Sequence, residues 1–210
     1  AVVAIAEAAP APGAGSLGAL GQMLAGSPAL VAKGAAIIAE LRARGIAIRY
    51  RTALDRIEQH ATGLRVDLAT SGTTPRTRSY EADIVTMGYG FNPSNEVLRL
   101  LGCRHRRDPV HGTLATETDE RGETSVAGVF AAGDCTGLGG AHAAEITGAL
   151  AGIAAARSLG LDAAGKLGGS EGRLRAALAR HRTFQSGLWR LFAPTADILA
   201  RPDEATLAAI

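Results

Sequence analysis

The chain has 210 residues, of which 47% are hydrophobic and 20% charged, and its formal net charge is +2. This composition is typical of a globular protein that buries a proper core in one large or two small domains. The near-neutral charge disfavours a nucleic-acid partner, and the basic cluster at 104–107 contains no aromatic residues, so it is predicted to be a solvated loop. No apolar run reaches the roughly 20 residues of a membrane span, so we expect a cytoplasmic protein.

The first residues predict a strand with an acid at its end. Residues 1–7 form a short apolar run that finishes in Glu7. An acid in this position of a Rossmann fold hydrogen-bonds an adenosine ribose hydroxyl, and the alternative is a solvated strand end. The G-x-G-x-x-G turn expected about 20 residues before such an acid is absent from the sequence. The chain therefore either has a different fold or begins inside a dinucleotide-binding domain, and we favour the second interpretation.

A predicted helical segment separates this strand from the next one. A loose loop and a short helix are predicted over residues 10–28, and a longer helix over residues 29–44. The apolar face of the longer helix is predicted to consist of Leu30, Ile37, Ile38 and Leu41. A strand over residues 46–50 completes a β-α-β crossover, which implies a parallel pair of strands.

Three short stretches of alternating polarity predict an antiparallel meander. They cover residues 53–59, 63–69 and 76–82, and such a meander packs one face and leaves the other in water. The apolar residues 84–87 then predict a buried strand that ends at a glycine.

Shorter elements lead on from the meander. Residues 95–102 predict a helix, residues 109–117 a strand and residues 119–123 a turn. The inner face of that helix is predicted to carry Val97, Leu98 and Leu101. Cys103 and Cys135 have no metal-ligand or redox spacing, so both are predicted to be small packed side chains and no metal site is expected.

A strand, a glycine-rich loop and a helix follow one another after residue 126. Residues 126–132 are a short apolar run between turn formers, which predicts a buried strand, and an Ala-rich helix is predicted over residues 143–159. The residues between them include Gly133, Asp134, Gly137, Gly139, Gly140 and Ala141. Such a unit directs backbone N–H groups and the positive end of a helix dipole at a crevice, which suits a phosphate or the electron-rich edge of a ring. The acid would accept hydrogen bonds from ligand hydroxyls, and the alternative is a helix cap.

The motif at residues 124–134, Thr-Ser-Val-Ala-Gly-Val-Phe-Ala-Ala-Gly-Asp, resembles the second flavin motif of the pyridine nucleotide-disulphide reductase superfamily. The segment 84–93 resembles the end of the NAD domain and the return to the FAD domain in the same superfamily. Within it, the continuation at residues 137–141 and the segment 188–192 are most similar to the amine-oxidising branch. That branch includes opine oxidase A and hydrogen cyanide synthase B subunits.

The resemblance implies an FAD-dependent oxidoreductase in which the flavin accepts a hydride from the C–H next to an amine. It implies that Asp134 holds the ribityl chain of FAD and that the glycine loop, with Gly133 and Ala141, approaches the flavin ring. Glu7 would hold the adenosine ribose of a second nucleotide, NAD(P). A small-molecule substrate and further oxidoreductase subunits, or self-association, are implied as partners. The alternative is a non-catalytic subunit or assembly platform with the same fold.

His142 follows the glycine loop, where the resemblance places the flavin ring. It is a catalytic candidate, as an acid or base or as a donor to a ring carbonyl. Glu145 lies three residues further on, on the same helix face, so a structural His142–Glu145 pair is the alternative.

The end of the chain predicts a helical segment. After a loose stretch over 162–172, an amphipathic helix is predicted over 173–182 with Leu174 and Leu178 facing inward. An apolar cluster follows, formed by Leu188, Trp189, Leu191 and Phe192. These helices form either a cap over the domain or a docking surface for a second protein of the complex.

The predicted fold class is α/β, an incomplete two-dinucleotide-binding-domain (Rossmann-like) flavoprotein fold with an antiparallel β-meander and C-terminal helices. Residues 1–93 are predicted to form a partial NAD(P)-binding-like domain with the meander. Residues 94–162 are predicted to form the C-terminal part of an FAD-binding domain, and residues 163–210 a helical C-terminal segment.

Overall fold

The computed structural model describes residues 1–72, 75–88, 90–108, 112–161 and 168–199. The chain is a mixed α/β protein, as predicted, and it divides into two compact units. The first unit consists of Ala1–Gly88 together with Ser186–Ile210, and the second consists of Tyr89–Gln185.

The first unit begins with a parallel β-α-β crossover. Its elements are β1 (Ala4–Glu7), a 3-10 helix (Ala14–Ser16), α1 (Leu17–Gly26), α2 (Pro28–Ala43) and β2 (Ala47–Tyr50). β1 and β2 pair in parallel with Glu7 opposite Tyr50, so the predicted crossover is confirmed. The acid thus stands at the carboxyl end of a parallel strand, the end at which open α/β sheets place their ligands.

Helix α2 has the predicted ends but only half of the predicted apolar face. The Ser27 hydroxyl accepts a 3.4 Å hydrogen bond from the Leu30 N–H, and Pro28 begins the first turn, as is common at helix starts. Leu30 and Ile37 are exposed, so their predicted packing role is wrong. Ile38 and Leu41 are half-buried, as predicted, and Val31 and Gly34 complete that side of the helix. Leu30 and Ile37 each precede a residue of this side by one position, which corresponds to a rotation of about 100° around the helix and leaves them outside it.

The predicted antiparallel meander is confirmed. It consists of β3 (Thr52–His60), β4 (Gly63–Thr70) and β5 (Thr77–Ala82), with β4 in the centre. Val66 and Leu68 alternate along β4 as buried side chains, as one packed face of a sheet requires.

The buried strand predicted over residues 84–87 is wrong. These residues form no strand, and Ile84 and Met87 are 79% and 57% exposed. Apolar composition does not by itself supply the hydrogen-bonding neighbours that a strand requires. No described part of the chain pairs with this segment.

The second unit is built around one long helix. Its elements are α3 (Glu96–Leu100), β6 (His105–Arg107), β7 (Leu114–Thr116), a 3-10 helix (Gly133–Thr136), α4 (Gly140–Ser158) and most of α5 (Gly168–Leu191). The short α6 (Ala196–Leu199) belongs to the first unit. The core of the second unit contains Leu178 of α5 packed with Ala143, Ile146 and Leu150 of α4. Leu174 also packs against this cluster, so the predicted inward residues of the last long helix are confirmed.

Two short elements of the second unit differ from the predictions. α3 forms where a helix was predicted, but Val97 and Leu101 are exposed and only Leu98 of the predicted face is half-buried. The predicted solvated loop at 104–107 is wrong, because β6 pairs with β7 there in antiparallel register. His105 joins the two strands through its side chain, because its Nε2 lies 3.0 Å from Oγ1 of Thr116 in β7. Its Nδ1 lies 2.8 Å from the Cys103 carbonyl. β7 lies within the predicted strand 109–117, of which residues 109–111 fall outside the described residues.

The strand predicted over residues 126–132 is also wrong. The Thr124 N–H donates to the Val129 carbonyl at 2.8 Å, which closes a turn in the first half of this run. Only one β-bridge involves the run, between Phe130 and Glu123, within the part of the chain that the structure describes. The backbone at residues 129–132 is therefore a short connection into the glycine loop, and Ala131 is buried in it.

The last long helix is longer than predicted. α5 begins at Gly168, within the stretch predicted to be loose, and continues to Leu191, so it absorbs part of the predicted apolar cluster. Residues 162–167 of the predicted loose stretch lie outside the described residues. Leu191 is buried, whereas Trp189 is partly exposed.

An ion-pair network joins the start of α5 to α4. The Glu171 carboxylate accepts hydrogen bonds from Arg157 of α4 and from the Arg175 guanidinium, at 2.9 Å from its Nη2. Arg175 Nη1 also lies 3.6 Å from Glu120 Oε2. The hydrogen bonds from Arg157 and then from Arg175 hold the pKa of Glu171 below its ordinary value of 4.5.

We expect the Glu171→Gln variant to be less stable than the wild type at neutral pH and equally stable in acid. A carboxyl whose pKa is lowered on folding contributes stability above its unfolded pKa and loses it as the pH falls through the folded pKa. Thermal unfolding of both proteins at about pH 7 and about pH 3 tests this expectation. A stability difference that is the same at both pH values would contradict it.

Candidate functional site

The glycine loop connects the 3-10 helix Gly133–Thr136 to α4. Gly133 and Gly140 have φ values of +80° and +72°, which side chains other than glycine rarely adopt. A Cβ on Gly133 would lie 3.2 Å from the Ala144 Cβ, so the loop also packs closely against α4. No atom lies within 4 Å of where a Cβ on Gly137 or Gly140 would be, so the loop is open at these residues.

Asp134 is exposed and reaches across the loop. Its Oδ1 accepts a hydrogen bond from the Gly139 N–H at 3.4 Å. Gly139 is the N-cap residue of α4, and among the described residues no side chain accepts a hydrogen bond from the first turn of that helix. Asp134 therefore shapes the loop before the helix and leaves the N–H groups of the first turn without a side-chain acceptor.

The start of α4 is open to solvent. Gly140, Ala141 and His142 are all exposed, and they form the first turn of the helix. The first N–H groups of an α-helix have no partner within the helix and carry its partial positive charge. The predicted residues of the glycine loop and the start of α4 are thus brought together as a surface that can accept an electron-rich group.

Thr147 anchors the beginning of the loop and was not singled out by the sequence. Its hydroxyl accepts a 3.1 Å hydrogen bond from the Gly133 N–H and lies 2.9 Å from the Ala143 carbonyl. A threonine in the third turn of an Ala-rich helix gives no sequence signal for this contact, because the partner lies 14 residues earlier.

Two further side chains that the sequence did not indicate hold the other side of the loop. His181 Nε2 lies 3.2 Å from the Gly139 carbonyl, and Gln185 Nε2 donates to the same oxygen at 2.5 Å. A carbonyl only accepts hydrogen bonds, so His181 carries a proton on Nε2. The available signal was the spacing of four residues, which places both side chains on one face of α5 beside the core residues Leu178 and Phe184.

His142 lies at the edge of this surface. Its side chain is 60% exposed, and its Nδ1 lies 3.8 Å from Glu145 Oε2, which is the predicted pairing. Its ring also contacts the ring of His181 edge-on, with 5.2 Å between centroids.

The remaining residues singled out from the sequence are the two cysteines and Glu7. Cys135 is half-buried, burial raises the pKa of its thiol, and its Sγ lies 3.2 Å from the Ala132 carbonyl. Cys103 is buried with its Sγ 3.4 Å from Thr124 Oγ1, as expected of a small packed side chain. Glu7 belongs to the first unit, where its Oε1 accepts a 2.9 Å hydrogen bond from the Ala9 N–H.

A cleft of about 260 Å³ lies elsewhere in the second unit. It is lined by Arg121, Glu123, Phe130, Leu150, Ile153, Ala154, Arg157, Ser158 and Glu171. None of these was predicted as a site residue, and the Arg157–Glu171 pair of the ion network forms part of its wall. Among the described residues there is also no group of three His, Cys, Asp or Glu side chains able to hold a metal ion.

Known proteins support the relationship that the motifs suggest. Residues 23–160 match the family model described as pyridine nucleotide-disulphide oxidoreductase. A protein named as the A subunit of opine oxidase, from Rhizobium meliloti (strain 1021), is 33% identical over 133 residues, which is 63% of this chain and 28% of that protein. A protein of the same name from Agrobacterium tumefaciens (strain Ach5) is 34% identical over 103 residues, 49% of this chain and 20% of the relative.

The chain matches 28% of the length of the first of these relatives and 20% of the length of the second. Among the helices that the structure describes, none is both long and apolar enough to cross a membrane. The family model covers well over half of the chain, including the meander, the glycine loop and all of α4. The chain therefore belongs to the pyridine nucleotide-disulphide oxidoreductase family.

Proposed function

We propose that the chain is the part of an FAD-dependent oxidoreductase that holds the ribityl chain and the ring end of the flavin. One observation carries this proposal. The exposed Asp134 carboxylate lies in the same glycine loop as the solvent-exposed start of α4, whose first turn has no side-chain cap. Family membership and the names of the relatives support the same class of reaction.

The residues of the loop fit the chemistry of a flavin. A carboxylate has two oxygens and accepts several hydrogen bonds, and only Oδ1 of Asp134 is turned toward Gly139. It can therefore accept bonds from ribityl hydroxyls without giving up its loop contact. The N–H groups at the start of α4 suit the electron-rich carbonyl edge of a flavin ring. The open space beside Gly137 and Gly140 leaves the backbone accessible to a flat ring.

The chemical step belongs to the cofactor, and the chain supplies its binding and surroundings. When bound, FAD supplies a ring that accepts a hydride from the C–H bond beside an amine. Asp134 would hold the ribityl chain, the residues from Gly133 to Ala141 would line the ring, and the helix start would favour negative charge there. His142 is a candidate to move a proton at its exposed imidazole, with Glu145 at 3.8 Å as its partner.

We further propose that Glu7 binds the ribose of a second nucleotide, NAD(P). It stands at the carboxyl end of β1, beside the end of the parallel strand β2. One of its carboxylate oxygens accepts the Ala9 N–H, and the carboxylate keeps capacity for a ribose hydroxyl. In this proposal residues 1–93, 94–162 and 163–210 keep the predicted roles of partial NAD(P) domain, FAD-domain part and helical segment.

The proposed substrate is a small amine, an amino acid or an opine, and the proposed partners are other subunits. The relatives are each named as one of the subunits of opine oxidase, which supports an assembly of different chains. A non-catalytic assembly platform is the second candidate. It is favoured by Val97 and Leu100 of α3 and by Leu101 directly after it, which are 68%, 87% and 50% exposed.

Flavin titration of the purified chain tests the proposal. We expect FAD to bind saturably, one per chain, with a change in flavin fluorescence. Riboflavin should compete with FAD, because the loop and α4 fit the ribityl and ring portions, whereas ADP should compete poorly. Failure to bind any flavin, together with concentration-dependent association in light scattering, would overturn the proposal in favour of the platform.

A further inference from the structure

Gly139 is fixed through both of its backbone polar groups. Its N–H donates to Asp134 Oδ1 at 3.4 Å, and its carbonyl accepts from His181 at 3.2 Å and from Gln185 at 2.5 Å. The two side-chain donors come from one face of α5, more than 40 residues further along the chain. One donor would be enough to satisfy this loop carbonyl, and here two side chains donate to it.

The Gly139 carbonyl lies at the start of α4, so the contacts that hold it also affect the orientation of that helix start. Gly139 is the N-cap of α4, so the direction of its peptide group sets where the first N–H groups of the helix point. A Cβ on Gly139 would lie only 2.7 Å from the Ala143 Cβ, so the loop is pressed against its own helix and has little room to shift. The position of the helix start is therefore controlled by whatever holds Gly139.

The histidine that holds Gly139 is itself held in place. His181 is 9% exposed, and its ring stacks on Phe184 at 6.1 Å and meets the His142 ring edge-on. A ring packed in this way has few alternative rotamers, so its N–H is aimed before any ligand arrives. Gln185 adds a second donor from the next turn of the same helix.

We propose that His181 and Gln185 are positioning residues of the flavin site. They fix the Gly139 carbonyl and thereby orient Asp134 and the first N–H groups of α4 toward the ligand. This proposal rests on the proposed function, and it assigns a role in that function to α5. Neither side chain contacts the ligand in this account, so both act through Gly139.

Variants that separate hydrogen bonding from packing test the proposal. His181→Phe keeps an aromatic ring beside Phe184 and removes the donor, whereas His181→Gln keeps a donor and loses the ring. Gln185→Met keeps the length of the side chain and removes the donor. We expect His181→Phe and Gln185→Met each to weaken FAD binding about three- to tenfold, and His181→Gln to retain most of the affinity. Arg182→Gln, an exposed change between them on α5, is the matched control and should bind as the wild type does.

The same proteins are compared by amide hydrogen exchange without flavin. We expect faster exchange at the hydrogen-bonded loop amides of Gly133 and Gly139 in His181→Phe and Gln185→Met, and unchanged exchange in Arg182→Gln. If the wild type binds FAD and all variants bind it equally, the positioning role is overturned while the proposed function stands. If the wild type binds no flavin, the proposed function fails. The exchange data then test separately whether His181 and Gln185 order the loop before α4. Unchanged exchange in His181→Phe and Gln185→Met would show that they do not.

Discussion

Replacing Asp134 with alanine should weaken FAD binding by about 10- to 100-fold and change the thermal stability of the chain little. A hydrogen bond to a charged group contributes about 1.5–3 kcal/mol, and about 1.4 kcal/mol corresponds to a factor of ten in affinity. Asp134 is exposed, and its bond to the Gly139 N–H is long at 3.4 Å, so its loss should cost the unliganded chain little. Flavin fluorescence titration gives the affinity, and circular dichroism on heating gives the stability.

Two companion variants identify the cause of such a loss. Asp134→Asn keeps an oxygen that can accept from Gly139 and removes the charge, so we expect an affinity between those of the wild type and the alanine variant. Glu120→Gln removes one exposed negative charge from the same unit, away from the loop, and should leave the affinity unchanged. Equal affinity in Asp134→Ala and the wild type would remove the carboxylate from the site.

The elements that the sequence predicted correctly are those fixed by local signals. The β-α-β crossover was predictable because Ser27, Pro28 and Gly45 mark the ends of α2 and apolar runs flank it. The meander was predictable because its strands alternate in polarity and pair with neighbours only a few residues away. The meander pairs strands that follow one another directly in the sequence, whereas β1 and β2 are joined across the two helices between them, and that pairing was predictable from the order of the elements.

The wrong predictions concern segments whose structure depends on distant partners. Residues 84–87 and 126–132 are apolar enough for buried strands, but a strand forms only where another strand offers its N–H and C=O groups. In the first case no described residue does so, and in the second only Glu123 opposite Phe130 does. β6 shows the converse, because its basic residues suggested a loop, yet His105 and β7 hold it in a ladder.

The residues of the candidate site also divide into those that local sequence signals identify and those that depend on distant contacts. The glycines and Asp134 were identifiable because positive φ angles and an acid at the start of a glycine loop leave a direct mark on the sequence. The cysteines and the His142–Glu145 pair were also interpretable locally. The contacts of His181 and Gln185 with Gly139 were not, because they depend on how α5 packs on α4, and helix packing is set by the whole core.

Two glycines of α5 should respond to alanine in opposite directions. Ordinarily alanine in place of glycine inside a helix stabilises by about 0.5–1 kcal/mol, because glycine loses more backbone entropy on folding. Gly172 should follow this rule, since no atom lies within 4 Å of where its Cβ would be. A Cβ on Gly187 would instead lie 2.5 Å from the Ala19 carbonyl oxygen and 2.8 Å from Met23 Cγ, both on the buried side of α1.

We therefore expect Gly187→Ala to destabilise the chain by about 2 kcal/mol, because the gain in helix propensity cannot offset overpacking against backbone. The unfolding midpoint should fall by about 4–8 °C in this variant and rise by about 2 °C in Gly172→Ala. A clash with the far end of a flexible side chain would relax cheaply, but the Ala19 oxygen belongs to the backbone of α1 and moves only with that helix. If both variants shift the midpoint in the same direction, α5 does not pack on α1 as closely as Gly187 requires.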